Sequence, residues 1–197
     1  MSPARPRAVL GTVPLYAPDP TPAFLDLSDN VNLWGVPPAA ARALQEPLAA
    51  KPSVYPRSDP AELRTALAGY ASVSAAQVIT GCGSDDVIDG ALRAFAAPGE
   101  TVAYSAPSFS MLVNFARVNG LEPVPVPFRG DGDIDPDALL ARRAAITYVC
   151  SPNNPTGSGV SAQAVERVVS RAEGLVLVDE AYGEFSGRSA VPLLARA

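Results

Sequence analysis

The sequence predicts an α/β protein with a mainly parallel sheet, and three observations carry that expectation. From residue 77 onward, short β-prone runs alternate with helical stretches at the spacing of strand–helix–strand units. The run Leu175, Val176, Leu177, Val178 is wholly apolar, which suits a central strand buried on both faces. Helix punctuation falls where the alternation needs it, with Asp135 before Pro136 as a start and Gly120 as a stop.

The first 58 residues precede this pattern. Pro3, Pro6, Pro14, Pro18, Pro20, Pro22, Pro37, Pro38, Pro47, Pro52 and Pro56 interrupt any long element there. A short helix over 39–50 is expected inside an extended arm that packs against something else, such as another subunit. Asp59 as N-cap, Pro60 at N1 and Glu62 at N3 then open a helix over 60–71, with Leu63, Leu67 and Tyr70 on one face. A strand follows over 77–80, then a helix over 85–96 with Val87, Ile88, Ala91, Leu92 and Phe95 inward. Next come a strand over 101–104 and a helix over 108–119 ended by Gly120. Pro123, Pro125 and Pro127 alternate through a strand over 122–127 and fit only a sheet edge. A helix over 136–141 capped by Asp135, a strand over 145–150, a helix over 162–173 and the strand over 175–178 complete the alternation.

Composition narrows the function. The chain has 197 residues, 48% hydrophobic and 18% charged, enough for one sizeable core in a folded globular protein. A net charge of −5, with no basic cluster beyond Arg142 and Arg143, argues against a nucleic-acid partner. Cys82 and Cys150 lack metal-ligand spacing, and there is no histidine. This argues against a zinc site or a disulfide framework and for a reduced, cytoplasmic compartment. The start of the chain has no apolar stretch of the signal-peptide kind, and no apolar run has the length of a membrane span. Lys51 is the single lysine among 15 basic residues.

In a parallel sheet, ligands sit beyond the carboxyl ends of the strands, so the residues there carry the functional reading. After 77–80 come Gly81, Cys82, Gly83, Ser84, Asp85 and Asp86, then a helix. This is either an anion site at a helix N-terminus or an ordinary turn with Ser84 as N-cap. Gly81 and Gly83 lack the third glycine of a dinucleotide fingerprint. After 101–104 comes Phe109, either a stacking aromatic or a core residue at a helix start. After 145–150 come Pro152, Asn153, Asn154, Pro155, Thr156 and Gly157, either a side-chain amide platform or a tight turn. After 175–178 comes Asp179, whose carboxylate at the end of an apolar strand needs a cation or a strong donor. The structural alternatives are an N-cap or an arginine salt bridge.

Taken together, these sites resemble the fold-type I pyridoxal-phosphate (PLP) aminotransferases, and among them the histidinol-phosphate aminotransferases. The matching strings are Tyr55-Pro56, G-S-D-D at 83–86, R-A-F-x-x-P-G at 93–99, P-S-F-S-M at 107–111, S-P-N-N-P-T-G at 151–157 and D-E-A-Y-G-E-F at 179–185. The resemblance runs from about Asp29 to the end of the sequence. It implies a three-layer α/β/α large domain over 59–197, incomplete, after an arm and part of a small domain over 1–58.

The resemblance also implies roles. Gly83, Ser84 and Asp85 would hold the PLP phosphate. Phe109 would stack on the ring, Asn154 and Tyr182 would donate to the ring hydroxyl, and Asp179 would partner the ring nitrogen. Tyr55 would reach the cofactor phosphate of the other subunit of a homodimer. The family's N-E-N segment reads Asn30-Val31-Asn32 here, and the tyrosine often found after P-T-x-x-M is Leu112. The family's Schiff-base lysine lies beyond D-E-A-Y, and the sequence carries no lysine after Lys51, so no catalytic residue is assigned and activity of these 197 residues alone is not expected. The implied reaction is transamination of an amino-phosphate, histidinol phosphate, with 2-oxoglutarate and glutamate. The alternatives are a sister PLP reaction (aromatic transamination or phospho-amino-acid decarboxylation), a non-catalytic relic or interaction module, and a nucleotide-binding α/β domain.

Overall fold

A computed structural model describes residues 7–14, 21, 22, 24, 25, 29–45, 55 and 60–196. The elements in chain order are α1 (Pro38–Gln45), α2 (Ala61–Ala71), α3 (Gly83–Phe95), β1 (Thr101–Ala106), α4 (Ser110–Val118), β2 (Glu122–Pro127), α5 (Pro136–Leu140), β3 (Ile146–Cys150), α6 (Ala162–Arg171), β4 (Leu175–Asp179) and α7 (Gly183–Ser186). Short 3-10 turns lie at Ala8–Thr12, Ala75–Gln77 and Val191–Arg196. Among the described residues no helix is long and apolar enough to cross a membrane.

The four strands form one parallel sheet in the order β2-β1-β3-β4. Every residue of β3 is buried. On one face Val102, Ile146 and Tyr148 pack with Ile88 and Leu92 of α3 and with Leu112 and Ala116 of α4. On the other, Ala103, Val126 and Val149 pack with Leu139 of α5 and with Val165 and Val168 of α6. The result is the three-layer α/β/α architecture. Leu92 and Leu112 are fully enclosed, and burying each contributes about 1.5–3 kcal/mol.

Local chemistry explains the punctuation. Asp135 accepts from the Ala138 N–H, with Pro136 opening α5. Ser161 caps α6 in the same way through Ala164. Gly120 follows α4 with φ +77°, the left-handed turn that lets the chain reverse into β2. Gly174 answers a different need, because a Cβ there would strike the Ala145 carbonyl oxygen and lie 2.6 Å from that of Ala144. Both contacts are backbone at the entry to β4 and cannot swing away. Gly174→Ala is therefore expected to destabilise the fold by about 3 kcal/mol or more. A denaturant midpoint equal to that of the wild type would contradict this.

Several expectations need correction. Residues 77–80 are not a strand: a 3-10 turn capped by Ser74 and Gln77 ends there, and among the described residues no strand pairs with the extended segment after it. Among the described residues β4 is an outer strand and only partly buried, whereas β1 and β3 are the inner strands; an apolar run reports low polarity, not the number of neighbours. Leu63 (51% exposed), Leu67 (39%), Tyr70 (73%) and Phe95 (61%) stay exposed rather than buried, and the Tyr70 hydroxyl donates to Glu184 at 2.7 Å. Pro60 stands in the N-cap position of α2, not at N1, and no side chain caps it; Asp59 is outside the described residues. Likewise α3 begins two residues early at Gly83, so Ser84 lies inside it and is not its N-cap. α1 ends at Gln45, and the rest of its expected span, like Lys51 and Pro56, is outside the described residues.

Candidate functional site

Sheet topology places the site. From β1 the chain passes through α4, on one face, to the edge strand β2. From β3 it passes through α6, on the opposite face, to β4. The chain therefore leaves the neighbouring strands β1 and β3 in opposite directions, and a crevice opens at their carboxyl ends. Such a reversal of strand order is where open α/β sheets bind ligands.

Two loops line this crevice and are tied together. Asn153 is 3% exposed. Its amide nitrogen donates to the Pro107 carbonyl at 3.0 Å and to the Thr156 hydroxyl at 2.8 Å. Its amide oxygen accepts from the Ser108 hydroxyl at 2.7 Å. The backbone adds Asn153 N–H to Ser158 O at 2.8 Å and Gly157 N–H to Asn153 O at 2.7 Å. Asn153 thus spends its whole amide on holding the two loops. Asn154, next to it, is half-buried and makes no side-chain hydrogen bond among the described residues. Phe109, the residue before α4, is half-buried and packs at the edge of the same core.

The start of α3 is an anion-ready helix end. The N–H groups of Gly83, Ser84 and Asp85 have no carbonyl one turn behind them. The helix dipole adds positive potential there. All three residues are exposed, and Gly83 turns with φ +78°. Asp86 bends back so that its carboxylate accepts from the Cys82 N–H at 2.9 Å, which holds the turn before the helix.

Asp179 ends β4. Its Oδ2 accepts from the Tyr148 hydroxyl at 2.6 Å, and its Oδ1 from the Ala181 N–H at 3.0 Å. The strong donor required on sequence grounds is therefore a buried phenol; among the described residues no arginine pairs with Asp179, and it caps no helix. Tyr148 is 1% exposed, and burial, followed by the charge of Asp179, raises its pKa far above the usual tyrosine range. The phenol stays protonated and donates at any working pH.

Tyr182, just before α7, accepts from the Asn30 amide at 2.9 Å, so its own proton is free to be given elsewhere. That bond also fastens the N-terminal arm beside the site. Two clefts result. One, of about 990 Å³, is lined by Asn30, Trp34, Asn154, Tyr182 and Phe185. A smaller one, of about 360 Å³, holds Gly83, Ser84, Leu177 and Asp179. Tyr55 is 96% exposed, with no described contact to these residues. Sequence reasoning passed over Tyr148 and the tying role of Asn153. The available signal was the one phenol in the mostly apolar strand Ile146 to Cys150, because a buried tyrosine needs a partner.

A family model described as aminotransferase class I and II matches residues 22–197. The chain belongs to the class I and II aminotransferases. The histidinol-phosphate aminotransferase of Methanocella arvoryzae is 37% identical to this aminotransferase over 168 residues, 84% of this chain and 46% of that protein. Among solved structures, the histidinol-phosphate aminotransferase of Sinorhizobium meliloti in complex with pyridoxal-5′-phosphate is 27% identical. It matches with a TM-score of 0.67 over 77% of this chain and 42% of that one. A putative histidinol-phosphate aminotransferase of Erwinia carotovora atroseptica matches with a TM-score of 0.72 at 27% identity, over 83% and 50% of the two chains. This aminotransferase chain spans about half the length of the curated relatives it matches.

Proposed function

We propose that the chain is the cofactor-binding part of a PLP-dependent aminotransferase that exchanges an amino group between histidinol phosphate and the 2-oxoglutarate/glutamate pair, in histidine biosynthesis. One observation carries the proposal: free helix N–H groups, an anchored carboxylate and uncommitted amide and hydroxyl donors gather at the carboxyl end of one sheet. The relatives' names support the substrate.

The donor set fits the cofactor. The N–H groups of Gly83, Ser84 and Asp85, with the Ser84 hydroxyl, would hold its phosphate. Phe109 would stack on the ring. Asn154, whose side chain makes no hydrogen bond among the described residues, and Tyr182, which accepts from Asn30, would donate to the ring hydroxyl. Asp179 would accept from the ring nitrogen and favour its protonated form. When bound, PLP supplies an electron sink for the substrate α-carbon. The chain's own residues hold the ring in place and keep charge where it is needed. Tyr55 would reach the phosphate of a second subunit, making the protein a homodimer. A cytoplasmic, reducing location is supported by the two free thiols, of which Cys150 is buried.

Fluorescence titration with PLP is expected to saturate, and Ser84→Asp, which sets a like charge against the phosphate, to weaken binding by about 10-fold or more. Equal affinity of the variant would remove the phosphate from this helix end. Turnover of the full-length protein on histidinol phosphate should exceed that on an aromatic amino acid, and the opposite order would assign the sister reaction.

Covalent attachment of PLP is not expected within residues 60–197. Residues 60–197 contain no lysine. Borohydride reduction of this chain with PLP should therefore leave no fixed adduct in that span, and a mass shift on any peptide from it would contradict the assignment.

A further inference from the structure

We propose that Tyr148 is a positioning residue of the cofactor site: through its hydrogen bond to Asp179 it keeps the proton of the Asp179–ring nitrogen pair on the nitrogen. The inference rests on the reading that Asp179 faces the PLP ring.

The geometry is specific. Tyr148 and Cys150 lie on the same face of β3, and Leu177 and Asp179 are their register partners on β4. The phenol is thus held beneath the strand end by the core of that face, formed with Ile88, Leu92 and Leu112. Its hydroxyl meets Asp179 Oδ2 at 2.6 Å, a length typical of donation to a carboxylate. Oδ1 takes the Ala181 N–H at 3.0 Å. Each oxygen keeps a further lone pair, so an incoming N–H can be accepted without breaking either bond.

The effect follows from where the proton can sit. A half-buried carboxylate beside a protonated ring nitrogen can exist as the ion pair, or as a neutral pair in which the carboxyl carries the proton. Low polarity favours the neutral pair. Donation from Tyr148 stabilises the charged carboxylate and tips the balance back. No atom is gained or lost; the phenol proton stays on Tyr148, and only the position of the shared proton changes. A hydroxyl that merely filled space in the core would not influence it.

The test uses the full-length protein loaded with PLP labelled with ¹⁵N in the ring. In Tyr148→Phe the nitrogen resonance should move toward its unprotonated position, and kcat should fall by about 10-fold with KM nearly unchanged. With 3-fluorotyrosine in place of Tyr148, a more acidic donor of nearly the same shape, the resonance should move the other way. That second substitution decides the matter if the phenylalanine variant folds poorly. A resonance unmoved by either change, with only a lower melting temperature, would make Tyr148 purely structural and overturn the proposal. Asp179→Asn separates the two readings: if it too leaves the resonance unmoved, Asp179 does not face the ring, and both fall together.

Discussion

Asp179→Asn in the full-length enzyme should lower kcat/KM by about 100- to 1000-fold, the scale of losing one preorganised electrostatic partner. The reason lies in charge. Asparagine keeps the shape and can still accept from the Tyr148 hydroxyl, which reaches Asp179 at 2.6 Å, but it cannot favour a protonated ring nitrogen. Some stability should also be lost, by about 1 kcal/mol, because the single amide oxygen can keep the Tyr148 hydroxyl or the Ala181 N–H but not both. Asp179→Ala is expected to differ: it strands the Tyr148 hydroxyl, 1% exposed, at a cost of about 1–3 kcal/mol. Steady-state kinetics and denaturation of the two variants separate function from folding. A fully active Asp179→Asn enzyme would remove Asp179 from the reaction.

Asn153→Ala and Asn154→Ala should divide in the opposite sense. Asn153 makes three side-chain hydrogen bonds inside the protein, to Pro107, Ser108 and Thr156. Its truncation unties the loops after β1 and β3 and leaves buried polar groups without partners. A loss of about 2–4 kcal/mol of stability is expected. Asn154 makes none of these bonds, so Asn154→Ala should stay within about 0.5 kcal/mol of the wild type while weakening PLP binding. Denaturant midpoints and PLP titrations check both. A destabilised Asn154→Ala beside a native-like Asn153→Ala would reverse the assignment of the two neighbours.

How far the sequence could be read depended on whether a signal was local. The Asp135 cap, the Gly120 stop and the proline-marked edge strand β2 stand as expected, since each depends on a few consecutive residues. The expected strand at 77–80 failed because a strand exists only through its neighbour. β4 was misplaced to the centre of the sheet for the same reason: hydrophobicity does not say what lies on either side. Tyr55, expected to reach a second subunit, is exposed, and Lys51 lies outside the described residues.

The sequence by itself determined the α/β alternation, the strand-end residue Asp179 and the loop residues Phe109 and Asn154, and, through six matching strings, the family. Only the tertiary structure decided that Asn153, and not Asn154, ties the two loops together. It also decided that the partner of Asp179 is a phenol 31 residues away rather than an arginine. The physical reason is that hydrogen bonds between strands are set by register. Register is fixed when side chains on both faces of the sheet find their packing, not by any residue's neighbours in the chain.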